Sequence, residues 1–174
     1  IIGYGRFGRL MYELLSNSMP EANVKVLSSS NEVDNKIFFS KEEVYRCDLI
    51  IPCVPISAFE TTITELNSVL KNGQTVLSVC SVMMHPAEVL SKLPEEINTL
   101  VSHPMFGPNT YRKLGSSVEG LKCVVNKVNC SQETYNNVLK IFQNLKLDIV
   151  EMSADEHDRL AAKFQFLTHV VSVG

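Results

Sequence analysis

The sequence predicts a doubly wound α/β domain with a mostly parallel sheet, running on into the start of a helical domain. Three observations carry that expectation. Between residues 1 and 104, short apolar runs of strand length alternate with helical periods. Such alternation implies strands joined by crossover helices. At the head of the chain, Ile1-Ile2-Gly3-Tyr4-Gly5-Arg6-Phe7-Gly8 sets a G-x-G-x-x-G turn between an apolar strand and an amphipathic helix. That is the dinucleotide-binding spacing in the context it requires. At the other end, residues 164–173 are apolar on nearly every side, which suits a helix buried in a further domain or a subunit interface. The expected organisation is a dinucleotide-binding domain over residues 1–152 and the first helix of a helical domain over residues 153–174.

Each element has a local reason. Gly3 permits the tight turn, Gly5 lets a pyrophosphate approach the backbone, and Gly8 lets the helix pack closely on the strand. Phe7, Leu10, Met11, Leu14 and Leu15 give the helix over residues 6–17 its apolar face, and its open N–H groups suit phosphate. Residues 23–28 and 37–39 read as the second and third strands. About eight residues separate them, too few for an ordinary parallel crossover, so the intervening helix is expected to be degenerate or missing. Ser40 with Glu43 forms a capping box for a short helix over residues 41–46. Residues 48–54 are a fully apolar strand ending near Pro52 and Pro55.

Ser57 is read as the cap of the next helix, with Glu60 three residues on. Asn72-Gly73 is read as its close. A strand over residues 74–79, a helix over 85–93 with Pro86 in its first turn, and a strand over 98–102 follow. Residues 105–120 read as a loop rich in Gly, Pro, Ser and Asn, a length usually kept for function. A strand over 121–128, a helix over 131–145 capped by Ser131, and a strand over 147–152 complete the domain. Ser153, with Glu156, caps the long last helix.

Composition narrows the function. The chain has 174 residues, enough for one α/β domain with a sizeable core. It opens inside a strand without an initiator Met and ends inside an apolar helical pattern, so it reads as part of a longer protein. A net charge of −3 gives no basic footprint for nucleic acid. No run is long and apolar enough to span a bilayer as a helix. Cys47, Cys53, Cys80, Cys123 and Cys130 are odd in number and show no C-x-x-C spacing, which fits a reducing compartment and no metal site.

The polar groups expected at the carboxyl ends of strands are the candidates for chemistry. Ser81 follows one strand; His103 follows the next, inside Ser102-His103-Pro104-Met105-Phe106-Gly107-Pro108. His169 lies in the last helix, in Gln165-Phe166-Leu167-Thr168-His169. A histidine beside a nucleotide site is suited to acid/base work or to orienting a hydroxyl. A lone histidine is also compatible with a purely structural part.

These motifs, with S-A-D-E-H-D-R-L-A-A over residues 153–162 and the pair Ser81-Val82, resemble the prephenate/arogenate dehydrogenase family, particularly its plant-like branch. The resemblance implies a Rossmann-type domain followed by a helical dimerisation domain, hence a homodimer in the cytoplasm or a plastid. It implies oxidative decarboxylation of prephenate or arogenate, with hydride transfer to a nicotinamide, in tyrosine biosynthesis. It places His103 on the substrate hydroxyl, Ser81 in the site, and His169 and Gln165 near the substrate's polar groups. Gly3, Tyr4, Gly5, Arg6, Phe7 and Gly8 would hold the cofactor.

Three departures qualify the likeness. Met83 stands where the family usually has Lys. The cations for the substrate carboxylates would lie partly beyond Gly174, with Arg112 and Lys113 the nearest candidates in the loop. Glu156 and Asp158, beside His157, are read as complementing the helix dipole rather than as catalytic.

Cofactor choice rests on Ser28-Ser29-Ser30-Asn31, where an NAD-preferring fold ordinarily has Asp or Glu. The hydroxyls of Ser28, Ser29 and Ser30, with Arg6, suit a 2′-phosphate and point to NADP; Glu32, turned inward, would favour NAD. Asn126, where the arogenate-preferring members resembling this chain have an acid, points to prephenate. Two alternatives stand beside this reading. One is a non-catalytic NADP-binding regulatory module, which the loss of Lys at Met83 keeps open. The other is a β-hydroxyacid dehydrogenase, against which Leu167 stands where Asn would follow Lys163 at four residues' spacing.

Overall fold

A computed structural model describes the backbone over residues 1–172 and the side chains over residues 1–163. The elements run α1 (Arg6–Ser18), α2 (Lys41–Val44), β1 (Leu49–Ile50), α3 (Ile56–Asn67), β2 (Thr75–Ser78), α4 (Met84–Leu90), β3 (Asn98–Pro104), α5 (Pro108–Lys113), β4 (Lys122–Asn129), α6 (Gln132–Asn144), β5 (Asp148–Glu151) and α7 (Ala154–Ser172). The five strands form one sheet in the order β1-β2-β3-β4-β5. Pairing is parallel except between β3 and β4. The fold class is therefore the expected α/β one.

The first three strand segments join the sheet through single parallel bridges, Ile2 to Pro52, Ile2 to Leu27 and Val26 to Phe38. They place the third, second and first segments side by side, next to β1. The strand order thus reverses between Ile2 and Pro52, and that reversal opens the crevice in which such sheets take their ligands. The joint is held by Cys53 N–H donating to Ile2 O at 2.7 Å and Gly3 N–H donating to Leu27 O at 2.8 Å. Pro52 fits because the Ile2 bridge draws on the amide of Cys53, not its own.

The sheet is covered on both faces. Leu77, Leu100, Cys123 and Val125 pack with Leu10, Met11 and Leu14 of α1 and Phe142 of α6. Their alternating neighbours Val76, Val101 and Val124 pack with Phe59 and Ile63 of α3 and Leu90 of α4. Each fully buried aliphatic or aromatic side chain contributes about 1.5–3 kcal/mol by leaving water.

As expected, no helix lies between Leu27 and Phe38; Asp34 Oδ1 accepts from the amides of Lys36, Ile37 and Phe38 and folds a turn. Other elements differ from the sequence reading. Ser57 is not a cap: the backbone already turns at Pro55, at φ −55° and ψ 147°, and Ser57 is the second helical residue. That helix ends at Asn67, ahead of Asn72-Gly73. The helix expected over 85–93 is α4, in which Pro86 is the third residue. The long loop contains α5, which Pro108 starts and which packs on α1 through Tyr111, whose hydroxyl donates to Glu13 Oε1 at 2.8 Å. With no helix long enough for a crossover between them, β4 returns antiparallel beside β3.

Candidate active site

The glycine turn is set by two close approaches. Gly3 has φ +98°, a conformation that side chains rarely adopt. A Cβ on Gly8 would collide with the Gly3 carbonyl oxygen. Gly5, the N-cap of α1, is different: a Cβ there would meet nothing within 4 Å, and no side chain caps the helix. The space over Gly5 and the first amides of α1 is thus free to take an anion. Around it, Tyr4 packs edge-on against Phe38 at 4.9 Å between centroids, and Arg9 lies 5.2 Å over the Tyr4 ring. Arg6, the first residue of α1, donates from Nη2 to Asn109 Oδ1 of α5 at 2.9 Å. In the turn beyond Leu27, Ser28 Oγ donates to Asn31 Oδ1 and accepts from the Ser30 amide. Ser29 and Ser30 are exposed.

Beyond the carboxyl ends of β2 and β3 lies a cavity of about 330 Å³ lined by Phe7, Cys53, Val79, Ser81, His103 and Phe106, among others. Larger hollows of about 550 Å³ lie at α2 and α3 and around Ile1 and Asp48. The first is away from the carboxyl ends of the strands, and the second lies at their amino ends. We place the site at the smaller cavity, because it alone of the three joins the glycine segment to Ser81 and His103. Burial pushes the Cys53 thiol up to about 12 and raises that of Cys80, so both line the cavity as neutral thiols, not nucleophiles.

His103 is held by a contact that the sequence reading did not foresee. Its Nδ1 lies 2.9 Å from Nε2 of His157, and His157 Nδ1 lies 2.7 Å from Asp158 Oδ1. His157 is 4% exposed. Asp158 also accepts the amides of Met83 and Met84 at 2.9 Å each, so it caps α4 rather than its own helix. Burial works to raise the Asp158 carboxyl, but the Met84 amide, His157 and the Met83 amide outweigh it and hold it below the usual range. For His103, burial first and His157 second disfavour the cation, against an opposing pull from Asp158, and bring the pKa down to about 4.

The other residues fall as follows. Met83 is fully buried in the core beneath the site, so this position carries no charge. Asn126 pairs with Val101, and the partner of His103 on β4 is Val124; Asn126 does not line the cavity. Arg112 lines a separate hollow between α1 and α5 with Arg6, Arg9 and Glu13. His169 and Gln165 lie outside the residues whose side chains are described. Among those residues, no group of three or more His, Cys, Asp or Glu is placed to hold a metal. Among the described residues, no helix is long and apolar enough to cross a membrane. His157 carries no local signal of this role: its neighbours in sequence are acids at a helix start, and its partner on β3 is 54 residues away in the chain.

The family described as prephenate dehydrogenase, nucleotide-binding domain, matches residues 22–146. The chain belongs to that family. Among its relatives, arogenate dehydrogenase 2, chloroplastic, of Arabidopsis thaliana is 28% identical over 98% of this chain and 51% of its own length. A probable prephenate dehydrogenase [NADP(+)] of Schizosaccharomyces pombe is 26% identical over 97% of this chain and 40% of its own. The chain therefore spans about half, or less, of these curated relatives. In structure it is similar to prephenate dehydrogenase from Aquifex aeolicus, with a TM-score of 0.75 at 18% identity over 100% of this chain and 71% of that one. Synechocystis arogenate dehydrogenase gives 0.72 at 18% identity, over 92% and 62%. A ketol-acid reductoisomerase from an uncultured archaeon gives 0.73 at 14%, over 90% and 51%. At these identities the likeness establishes the dinucleotide-binding fold, which enzymes of more than one reaction share.

Proposed function

We propose that the chain supplies the dinucleotide-binding part of an enzyme that oxidatively decarboxylates prephenate or arogenate with NADP. The observation that carries this is His103: its ring lines the cavity shared with Phe7 of the glycine segment, and its Nδ1 is taken by His157. Its Nε2 has no partner among the described residues and is the nitrogen left for a substrate hydroxyl. Family membership and the names of the relatives support the same substrate class.

The residues present fit a dinucleotide. The open space over Gly5 and the first amides of α1 suit its pyrophosphate, with Tyr4, Arg6 and Phe7 around them. When bound, the nicotinamide supplies the acceptor for the hydride leaving the hydroxyl-bearing carbon. The protein's own task is to hold that hydroxyl and take its proton. As hydride departs, positive charge grows on the carbinol carbon, so the O–H proton has to leave in or near the same step. A neutral imidazole nitrogen accepts it; an imidazolium has no lone pair to do so. Ser81 stands beside His103 at the cavity and orients the same group. Pro104 holds His103 in extended backbone, and β3 carries both. In this reading His169 and Gln165 meet the substrate's polar groups, and the carboxylate-binding cations come from the helical domain, through which the protein forms a homodimer.

NADP is favoured over NAD because no carboxylate occupies residues 28–31, while Ser29 and Ser30 offer exposed hydroxyls. Arg6 and Arg9 add positive charge at the same end of α1. Titration should give tighter binding of NADP than of NAD, and the reverse order would refute the assignment. The choice between prephenate and arogenate does not rest on Asn126, which is away from the cavity. A reducing compartment, cytoplasm or plastid, agrees with five free cysteines.

The function is tested by offering the full-length protein each substrate with NADP and following reduced-nicotinamide absorbance. Turnover of either supports the proposal. Cofactor binding with neither substrate consumed would favour a non-catalytic module instead.

A further inference from the structure

We infer that Asp158 and His157 form a positioning relay that fixes the tautomer of His103, leaving its Nε2 as a bare acceptor on the cavity. The inference rests on the function proposed above for its catalytic meaning, but not for its geometry.

Asp158 accepts from two backbone amides and sits 2.7 Å from Nδ1 of His157. A carboxylate can only accept. His157 must therefore carry its proton on Nδ1, since a bare Nδ1 would set lone pair against lone pair. The ring is then an acceptor at Nε2, 2.9 Å from Nδ1 of His103. His103 must in turn be protonated on Nδ1, and its Nε2 is left with a free lone pair. Each ring is told which nitrogen to protonate by the group behind it. Burial of His157 at 4% exposure keeps water from competing for either nitrogen. The two rings meet edge to face, at 86° between planes, so each presents a nitrogen without stacking over the other.

The relay is anchored at both ends by secondary structure. His103 lies on β3. His157 and Asp158 lie in the first turns of α7, and Asp158 ties that turn to the start of α4. His157 is absent from the cavity wall, so it acts through His103 and not on a substrate. When His103 Nε2 takes the hydroxyl proton, the O–H bond breaks, its electron pair stays on oxygen, and an N–H bond forms. The Nδ1–H bond to His157 is kept throughout, and the Asp158 carboxylate faces the resulting cation through the His157 ring. The titratable groups acting on His103 among the described residues are His157 and Asp158.

Ring-nitrogen NMR of the intact protein, with kinetics on His157→Phe, His157→Gln and Asp158→Asn, tests the inference. In the wild type, both His103 and His157 should show Nδ1–H and an unprotonated Nε2, a readout that needs no turnover. His157→Phe should release the His103 tautomer and lower kcat by about 10² while leaving NADP affinity unchanged. His157→Gln, whose amide oxygen accepts from His103 Nδ1–H, should recover most of that loss. Asp158→Asn, which removes the carboxylate charge and sets a donor at one of the two oxygen positions, should loosen the hold on His157 Nδ1–H, raise the Nε2–H fraction of His103, and lower kcat. An Nε2–H tautomer of His103 in the wild type would overturn the relay. So would kcat within about twofold of wild type in His157→Phe. If His157→Phe does not fold, the wild-type spectrum and Asp158→Asn decide. If the wild type turns over neither substrate, the proposed function fails and the spectra alone decide the relay.

Discussion

His103 is a weaker base in this site than a free histidine, and that would set the acid limit of the chemistry proposed for it. Its pKa near 4 lies below the ordinary 6.5, so between these values the unfolded chain binds a proton that the folded one refuses. The contribution of His103 to stability is therefore full above about 6.5 and is lost as pH falls toward 4. Activity should accordingly persist through pH 5.5 and fall nearer 4, provided the fold holds; a kcat profile with its acid limb at 6.5 would contradict this.

The glycines make a second residue-scale test. Gly5→Ala meets open space at ordinary φ and should leave Tm within a degree or two while weakening dinucleotide binding. Gly8→Ala drives a methyl into the Gly3 carbonyl and should cost about 1–3 kcal/mol or more in thermal unfolding. Both glycine roles were legible in the sequence, because the G-x-G-x-x-G spacing encodes backbone geometry directly. His157 was not legible as a partner, because no local pattern in Asp155-Glu156-His157-Asp158 reports a contact with β3.

At the scale of elements, caps were readable when the chain itself supplied them. Ser40 and Glu43 form the full capping box on α2, and Ser131 accepts the Thr134 amide at the start of α6. Ser40→Ala should cost about 1 kcal/mol in denaturant unfolding, with the cofactor site unaffected. Ser57 was misread because Pro55 turns the backbone first. The cap of α4 was unreadable because it comes from Asp158, over seventy residues on. The helix α5 lay hidden in a stretch of Gly, Pro and Ser, where its six residues are held largely by contact with α1. Propensity alone cannot specify so short a helix.

For the molecule as a whole, the doubly wound sheet was visible in the alternation of elements, and the two cores follow from strands buried on both faces. What the alternation could not give was the antiparallel β4 or the single-bridge pairing of the first three segments. The fold brings the glycine turn and the end of β3 to one crevice, and sets the start of α7 behind His103. The chemistry proposed for this crevice is a dehydrogenation in which His103 takes the hydroxyl proton. The most direct measurement is kcat together with NADP affinity for His103→Ala in the full-length protein. NADP binding should be unchanged and kcat should fall by on the order of 10² or more. A folded His103→Ala protein whose kcat stays within a few-fold of wild type, with only KM or Tm altered, would contradict it.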